Sequence, residues 1–213
     1  TLESVALLDA AGAETRGKPL EAREISIDGL RAGVSFDSPQ KTGLFLDQRE
    51  NWPMIRRFAQ GAVVLDGYCH HGFWGIHAAL GGAKRVLGID SSEPAVARAR
   101  INADLNGVAP RCAFERMRVE EILDRGDNFD VIVLDPPRKG CEESLLKTIR
   151  KLGPDRVVYV SCDSATLARD LKILCMKSED GSQEASYEIR RVRPCDMFPH
   201  STHVETVCLL THT

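Results

Sequence analysis

From residue 62 onward, short apolar runs alternate with stretches of helical period. Ala62-Val63-Val64-Leu65-Asp66 reads as a buried strand, followed by a Gly-containing loop and a short helix to Leu80. Arg85-Val86-Leu87-Gly88-Ile89-Asp90 reads as a second strand. Ser91 or Ser92 can cap the next helix, Pro94 falls in its first turn where a missing N–H does no harm, and Gly107 stops it after Asn106. Residues 111–117 and Phe129 to Leu134 are expected as the third and fourth strands, with Glu142 to Leu152 helical. Val157 to Cys162 is a fifth strand and Ser164 to Met176 the helix after it. Tyr187 to Val192 and His203 to Leu210 are two closing strands, and polar Ser178 to Ser186 is a loop. This alternation predicts an α/β fold with a doubly wound, mostly parallel sheet. The two last strands, with no long helix between them, predict an antiparallel closing hairpin.

Upstream, residues 24–36 predict a β-hairpin. Ile25 and Ile27 alternate with polar residues, Asp28-Gly29 supplies a two-residue turn, and Leu30 to Phe36 returns. Pro39 to Gly43 reads as a loop and Gln48 to Ala59 as helical. The chain thus divides into residues 1–59, a hairpin with a connecting segment, and residues 60–213, which carry the alternating pattern.

Composition narrows the class. A chain of 213 residues with 43% hydrophobic content suits one large globular domain or a domain with an appendage. Its apolar runs fall far short of the ~20 residues a membrane-spanning helix needs. The polar start, Thr1-Leu2-Glu3, has no Met and no signal-peptide pattern, which suggests a processed or trimmed N-terminus. Seven cysteines without a Cys-x-x-Cys pair argue against a disulfide framework and a structural metal, and for reduced thiols in the cytoplasm. The net charge of −3 supplies no argument for nucleic acid. Lys139, Lys147, Arg150, Lys151 and Arg156 either form a local basic face or are solvated helix-surface charges.

In an open α/β sheet, ligands bind beyond the carboxyl ends of the strands. Asp66, Asp90, Asp135 and Cys162 all fall there. Asp90 ends the second strand about 20 residues after the first loop, where an acid holds ribose hydroxyls, although such an acid can also be a helix cap. The loop, Asp66-Gly67-Tyr68-Cys69-His70-His71-Gly72-Phe73-Trp74-Gly75, lacks the Gly-x-Gly-x-x-Gly of a dinucleotide site and favours an adenosylmethionine site. Cys69, His70 and His71 do not suggest a metal, since adjacent side chains diverge and no second ligand cluster is suitably spaced. No Gly-x-Ser-x-Gly elbow marks a hydrolase. Cys69, Cys112, Cys141, Cys175, Cys195 and Cys208 are expected as small buried residues. Cys162 differs by its place just before a helix start, where a thiol gains thiolate character. Taken alone, Glu205 reads as a surface acid on an edge strand.

Three segments in order carry a resemblance. Leu134-Asp135-Pro136-Pro137-Arg138-Lys139-Gly140 resembles an Asp-Pro-Pro-Arg motif. Ser161-Cys162-Asp163-Ser164-Ala165-Thr166-Leu167-Ala168-Arg169-Asp170 resembles a Ser-Cys-Asn-Pro-x-Thr-x-x-Arg-Asp nucleophile motif. Asp196-Met197-Phe198-Pro199 with His203-Val204-Glu205 resembles a Phe-Pro…His-x-Glu base motif. Together, over residues 60–213, they resemble the RNA 5-methyluridine methyltransferase family. The resemblance implies a class I, Rossmann-like methyltransferase sheet with an antiparallel last strand, S-adenosylmethionine as cofactor and an rRNA or tRNA substrate. It implies Cys162 as nucleophile, Glu205 as proton acceptor and Asp135 as a contact to the target base. Asp66, Tyr68, Gly72, Asp90, Asp135 and Pro136 are the expected cofactor contacts, and no metal is expected.

That family's chemistry calls for one activated thiol and one base. Carbon 5 of a pyrimidine is a poor nucleophile until a thiolate adds to carbon 6, and a base must then remove the carbon-5 proton. The chain departs from the family at Cys69-His70-His71-Gly72, which stands for Cys-Gly-x-Gly, and at Asp163-Ser164 for Asn-Pro. Gln40 to Arg49 and the preceding hairpin resemble instead the ribosomal RNA 5-methylcytosine methyltransferases that carry a PUA domain. Uridine is favoured, and cytosine is the runner-up. A small-molecule methyltransferase and a non-catalytic cofactor-fold protein that binds RNA or a partner are the other readings. Oligomeric state is not legible.

Overall fold

The computed structural model describes residues 4–9, 12–17, 23–34, 44–45, 48–176, 185–196, 200 and 203–213. The Pro39 to Gly43 loop, most of the Gln40 to Arg49 match, most of the Ser178 to Ser186 loop, and Met197, Phe198 and Pro199 lie outside them.

A seven-stranded sheet organises the chain. Its strands are β5 (Val63–Gly67), β6 (Arg85–Asp90), β7 (Cys112–Arg116), β8 (Val131–Leu134), β9 (Arg156–Ser161), β10 (Tyr187–Cys195) and β11 (Glu205–His212), in the order β10-β11-β9-β8-β5-β6-β7. β5 pairs in parallel with both β6 and β8, so the chain reverses its direction of progress across the sheet at β5. β11 inserts between β9 and β10 and is antiparallel to both. The expected doubly wound sheet and closing antiparallel pair are therefore present. The parallel strands are almost continuously apolar because both faces are covered.

On one face, α1 (Phe73–Leu80) and α2 (Glu93–Leu105) pack over Val64, Val86, Val133 and Val158. On the other, α3 (Glu143–Leu152) and α4 (Ser164–Leu174) cover Leu65, Ile132, Leu134 and Tyr159. Ser92 caps α2, its hydroxyl accepting from Ala95 N at 3.4 Å, and Asn106 ends the helix just before Gly107. The stretch expected as a helix from Gln48 is a 3-10 segment over Trp52–Phe58. Pro53 sits at its start, and Trp52 and Ile55 are buried.

Two hairpins precede this sheet. β3 (Arg23–Ile27) and β4 (Leu30–Val34) pair through the expected two-residue turn Asp28-Gly29, which takes a left-handed backbone with φ of 49° and 82°. β1 (Ser4–Asp9) and β2 (Gly12–Gly17) form a further antiparallel pair that the apolar pattern did not signal. The β3–β4 hairpin is tied to α2 by Asn102, which is fully buried. Its Oδ1 accepts from Gly33 N at 2.8 Å, and its Nδ2 donates to His71 O at 3.1 Å.

Candidate functional site

A cleft of about 460 Å³ opens beyond the carboxyl ends of β5, β6, β8 and β9. Tyr68, Asp90, Asp135, Pro136, Cys162 and Glu205 all line it. The topology accounts for this convergence. With β5 central and its neighbours leaving on opposite sides, the loops after β5 and β8 part and leave a crevice.

Asp90 closes β6. Its Oδ2 accepts from His70 N and its Oδ1 from Ser92 N, both at 2.9 Å, so the carboxylate holds the loop after β5 and the start of α2 together. Each oxygen retains a lone pair, which suits a ligand with adjacent hydroxyls. Arg138 is the only Lys or Arg among the described lining residues, against the three carboxylates of Asp90, Asp135 and Glu205.

Two expected cofactor contacts lie below this surface. Asp66 is fully buried and does not line the cleft. Its Oδ2 accepts from Gly75 N at 2.8 Å, pinning the start of α1, while its Oδ1 has no partner among the described residues. Burial raises its pKa to about 7, with the Gly75 hydrogen bond opposing and Asp90 adding to the rise. Gly72 is also buried, at φ 78°, and a Cβ there would meet the Phe114 ring at 2.7 Å. Close packing and a left-handed backbone thus require the glycine.

His70 stands where the resembled Cys-Gly-x-Gly pattern has its first glycine, and His71 at the variable position. His70 adopts φ 45°, stacks on His71 with ring centroids 3.8 Å apart, and meets Phe45 edge-on at 4.6 Å. Burial, then His70 and Arg98, depress His71 to a pKa of about 3, so it is neutral at pH 7. Among the described residues no group of three or more His, Cys, Asp or Glu could hold a metal ion. No helix among them is long and apolar enough to cross a membrane.

Cys162 and Glu205 come from strands adjacent in the sheet. Thr206 pairs with Ser161, so Glu205 and Cys162 occupy the next position beyond that pair. Glu205 is buried and Cys162 half-buried. Burial raises the Cys162 pKa, the Glu205 carboxylate raises it further, and the Arg138 guanidinium, hydrogen-bonded to the thiol, opposes both. The helix-dipole expectation is corrected here. The N-cap of α4 is Asp163, whose carboxylate accepts from Thr166 N at 2.8 Å, and the Cys162 thiol beside it is raised in pKa, with burial the largest cause.

The loop after β8 is held from beneath by Asp170, which is fully buried. Its Oδ2 accepts from Cys141 N at 2.8 Å and from the Tyr159 hydroxyl, and its Oδ1 pairs with Arg169 at 2.7 Å. Arg169 also donates to Lys139 O at 2.9 Å, and Thr166 Oγ1 donates to Arg138 O at 3.1 Å. Asp135 to Cys141 is thereby fixed against α4. The Arg-Asp end of the nucleophile motif therefore positions the neighbouring loop, a role that could not be read from its spacing.

Of the five expected contributors to a basic face, Arg150 is corrected. It is buried, donating to Ala185 O and Met176 O at 3.0 Å each. Lys139 and Lys147 pair with Glu142 and Glu143. Among the other cysteines, Cys69, Cys141 and Cys208 are buried, and Cys112, Cys175 and Cys195 are half-buried.

A family model for S-adenosylmethionine-dependent methyltransferases matches residues 7–151. An uncharacterized RNA methyltransferase of Halalkalibacterium halodurans is 42% identical over 177 residues, covering 81% of this chain and 36% of that protein. Another from Listeria innocua is 44% identical over 197 residues, covering 88% and 41%. The chain thus spans less than half the length of these relatives. The crystal structure of Pyrococcus abyssi tRNA (uracil-54, C5)-methyltransferase in complex with S-adenosyl-L-homocysteine matches with a TM-score of 0.76 at 29% identity, covering 98% of this chain and 51% of that one. A putative methyltransferase from Streptococcus mutans, at TM-score 0.78 and 15% identity over 94% of this chain and 58% of that one, shares the fold.

Proposed function

The chain belongs to the S-adenosylmethionine-dependent methyltransferase family, and from that premise we propose that it methylates carbon 5 of a pyrimidine in RNA, uridine in preference to cytidine. The observation that carries the proposal is the meeting of Cys162 and Glu205 in the cleft that Asp90 and Asp135 also line. The RNA methyltransferase relatives support RNA as the substrate, and the uracil-C5 tRNA enzyme supports the base.

The cofactor is S-adenosylmethionine, which supplies an electrophilic methyl group when bound. The residues present fit it. Asp90 offers two carboxylate oxygens to ribose hydroxyls, Tyr68 and Pro136 supply walls, and the Asp135 carboxylate suits a cationic ligand. Asp66 and Gly72 act from below by shaping the loop that carries Tyr68.

The reacting side chains have separate tasks. Cys162 Sγ, as thiolate, bonds to carbon 6, and the electron pair of the C5–C6 double bond moves toward carbon 5 and the C4 carbonyl oxygen. Arg138 favours the thiolate, against burial and Glu205. Once carbon 5 carries the methyl group, Glu205 takes the carbon-5 proton. The released electron pair re-forms the C5–C6 double bond and expels the Cys162 thiolate.

Labelled RNA and cofactor on denaturing gels, with nucleoside analysis of the product, test this. Wild-type protein should yield 5-methyluridine. Cys162→Ala should yield neither product nor adduct. Glu205→Gln should accumulate a slow-migrating protein–RNA band, because addition and methylation proceed while elimination stalls. Turnover by Cys162→Ala would remove it as the nucleophile.

A further inference from the structure

The outer edge of the sheet carries arginines that the reaction does not use. β10 is an edge strand, and its segment Glu188-Ile189-Arg190-Arg191-Val192-Arg193 mixes cations with apolar residues. The pairing with β11 sorts them by face. Arg191 lies opposite Leu209 and Arg193 opposite Val207, two residues that pack into the core beneath α1 and α2. Val192 lies opposite Cys208 and Ile189 opposite Leu210, on the side of α3 and α4. Strict alternation from Arg191 would put Arg190 on that second side. The register instead shifts between Ile189 and Arg191, leaving Arg190 as the extra residue of a bulge. Arg190 Nε donates to Thr211 Oγ1 at 2.8 Å, and Thr211 shares the side of Leu209 and Val207. The bulge thus gathers three arginines on one face of the edge strand.

These arginines are open to a partner. Arg190 and Arg191 are exposed and Arg193 is half-buried. Arg191 has no ion pair among the described residues, while Arg190 meets Glu188 at 3.0 Å and Arg193 meets Glu50 at 3.7 Å. Exposed pairs of this kind contribute little, so a phosphate can replace the carboxylate at small cost. A guanidinium grips a phosphate through two parallel N–H groups. The row also leads to the cleft. Cys195, two residues past Arg193, pairs with Glu205, and Arg193 Nη1 contacts Met54 Sδ at 3.2 Å, two residues past Trp52 of the cleft wall. From Cys195 the row runs back along the edge for about 15 Å, at about 3.3 Å per residue. Charges also keep an exposed edge from pairing with other strands, but that purpose needs no bulge to align three of them, and here it leaves Ile189 and Val192 exposed on the opposite face.

We propose that Arg190, Arg191 and Arg193 form a track for the phosphate backbone of a paired RNA stem beside the target nucleotide. This rests on the RNA methyltransferase reading and deepens it by naming the form of RNA. Proteins that hold unpaired strands stack the bases on aromatic side chains. The arginine face of β10 offers no Phe, Tyr or Trp. In a stem the bases are already stacked within the helix, and phosphates and sugar hydroxyls are what remain to be held. The aromatic residues Phe45, Trp52 and Phe73 lie in the cleft, where an unpaired target enters, and the track lies outside it.

The test uses the full chain and two fluorescent RNAs that share a target loop, one with the loop closed by a stem and one with the loop as an unpaired strand. Affinity is read by anisotropy across a salt series. Wild-type protein should bind the stem-loop with the steeper slope of log affinity against log salt. Arg190→Gln, Arg191→Gln and Arg193→Gln combined should make that slope shallower by about 2 to 3, at about 0.9 per phosphate contact on a double helix. Arg191→Gln alone should remove about 0.9, and Arg191→Lys, which keeps the charge, should retain the wild-type slope. The slope for the unpaired strand should not change. In turnover with S-adenosylmethionine the triple variant should raise KM for the stem-loop and leave kcat and cofactor affinity unchanged, since none of the three lines the cleft. A stem-loop slope unmoved by the triple variant, while wild type methylates the RNA, overturns the inference and leaves the methyltransferase reading standing. So does an equal loss of slope on both RNAs, which would assign the arginines to unpaired RNA. Wild-type protein that neither binds nor methylates either RNA overturns both.

Discussion

A single carboxyl group, Asp66, shows how burial turns position into pH dependence. It sits below the loop that forms the cleft wall, with one oxygen bonded to Gly75 N and the other without a described partner. Its folded pKa of about 7 lies above its ordinary value of 3.8, mainly because burial disfavours the charge. The folded protein therefore holds this proton more tightly than the unfolded chain. Below pH 4 both states are protonated and the group makes no difference. Between pH 4 and 7 the unfolded chain ionises first, and stability is lost as pH rises. Above 7 the loss levels off. Asp66→Asn keeps an acceptor for Gly75 and removes the ionisation. Chemical denaturation across pH 4–8 should show wild type losing up to about 4 kcal/mol relative to the variant, at about 1.4 kcal/mol per unit of pKa. Parallel stability profiles would show that Asp66 ionises freely in the fold. At this scale, Cys162 and Asp90 were legible as strand-end residues, and the flanking pattern picked out Glu205. The hydrogen bond from Cys195 to Asn51 spans 144 residues, and no local period marks so distant a contact.

Between elements, the coupling of the β3–β4 hairpin to the cleft is the clearest dependency. Asn102 lies on α2, yet its side chain bonds the backbone of Gly33 in β4 and of His71 in the loop after β5. Gly33 is itself constrained, since a Cβ there would meet the Arg98 guanidinium at 3.0 Å. Asn102→Ala leaves Gly33 N–H and His71 C=O without these partners, and each unsatisfied buried group costs about 1–3 kcal/mol. Stability by denaturation should fall by at least about 2 kcal/mol. Cofactor affinity should fall with it, because the loop carrying His71 also carries His70, which donates to Asp90. Full cofactor affinity in a destabilised variant would confine the hairpin to a structural role. Strand and helix order was readable because buried parallel strands are apolar runs and helix caps are local. The 3-10 form of Trp52–Phe58 was not readable. Its apolar residues suit a helix, and packing of Trp52 against Phe73, with ring centroids 4.5 Å apart, sets its place. β1 and β2 offer no alternation strong enough to announce them.

Across the whole molecule, charge is the term that least favours RNA, and it sets the last expectation. The net charge is −3, so long-range attraction of a polyanion is weak. What the chain offers is local. Arg138 and Lys139 are exposed on the loop after β8, where Arg138 lines the cleft, and Arg169, bonded to Lys139 O, and Lys172 are exposed on α4. Arg169 is partly neutralised by Asp170 and Lys139 by Glu142, leaving the equivalent of about two or three phosphate contacts. Each contact with single-stranded nucleic acid contributes about −0.7 to the slope of log affinity against log salt. Fluorescence anisotropy with a single-stranded RNA should therefore find weak binding that falls with salt at a slope of about −1.5 to −2. Arg138→Ala should make that slope shallower by about 0.7 while leaving cofactor binding in place. Tight binding with no salt dependence would contradict this, and would move the source of affinity from phosphate contacts to stacking and base readout in the cleft, where Phe45, Trp52 and Phe73 supply the aromatic surface.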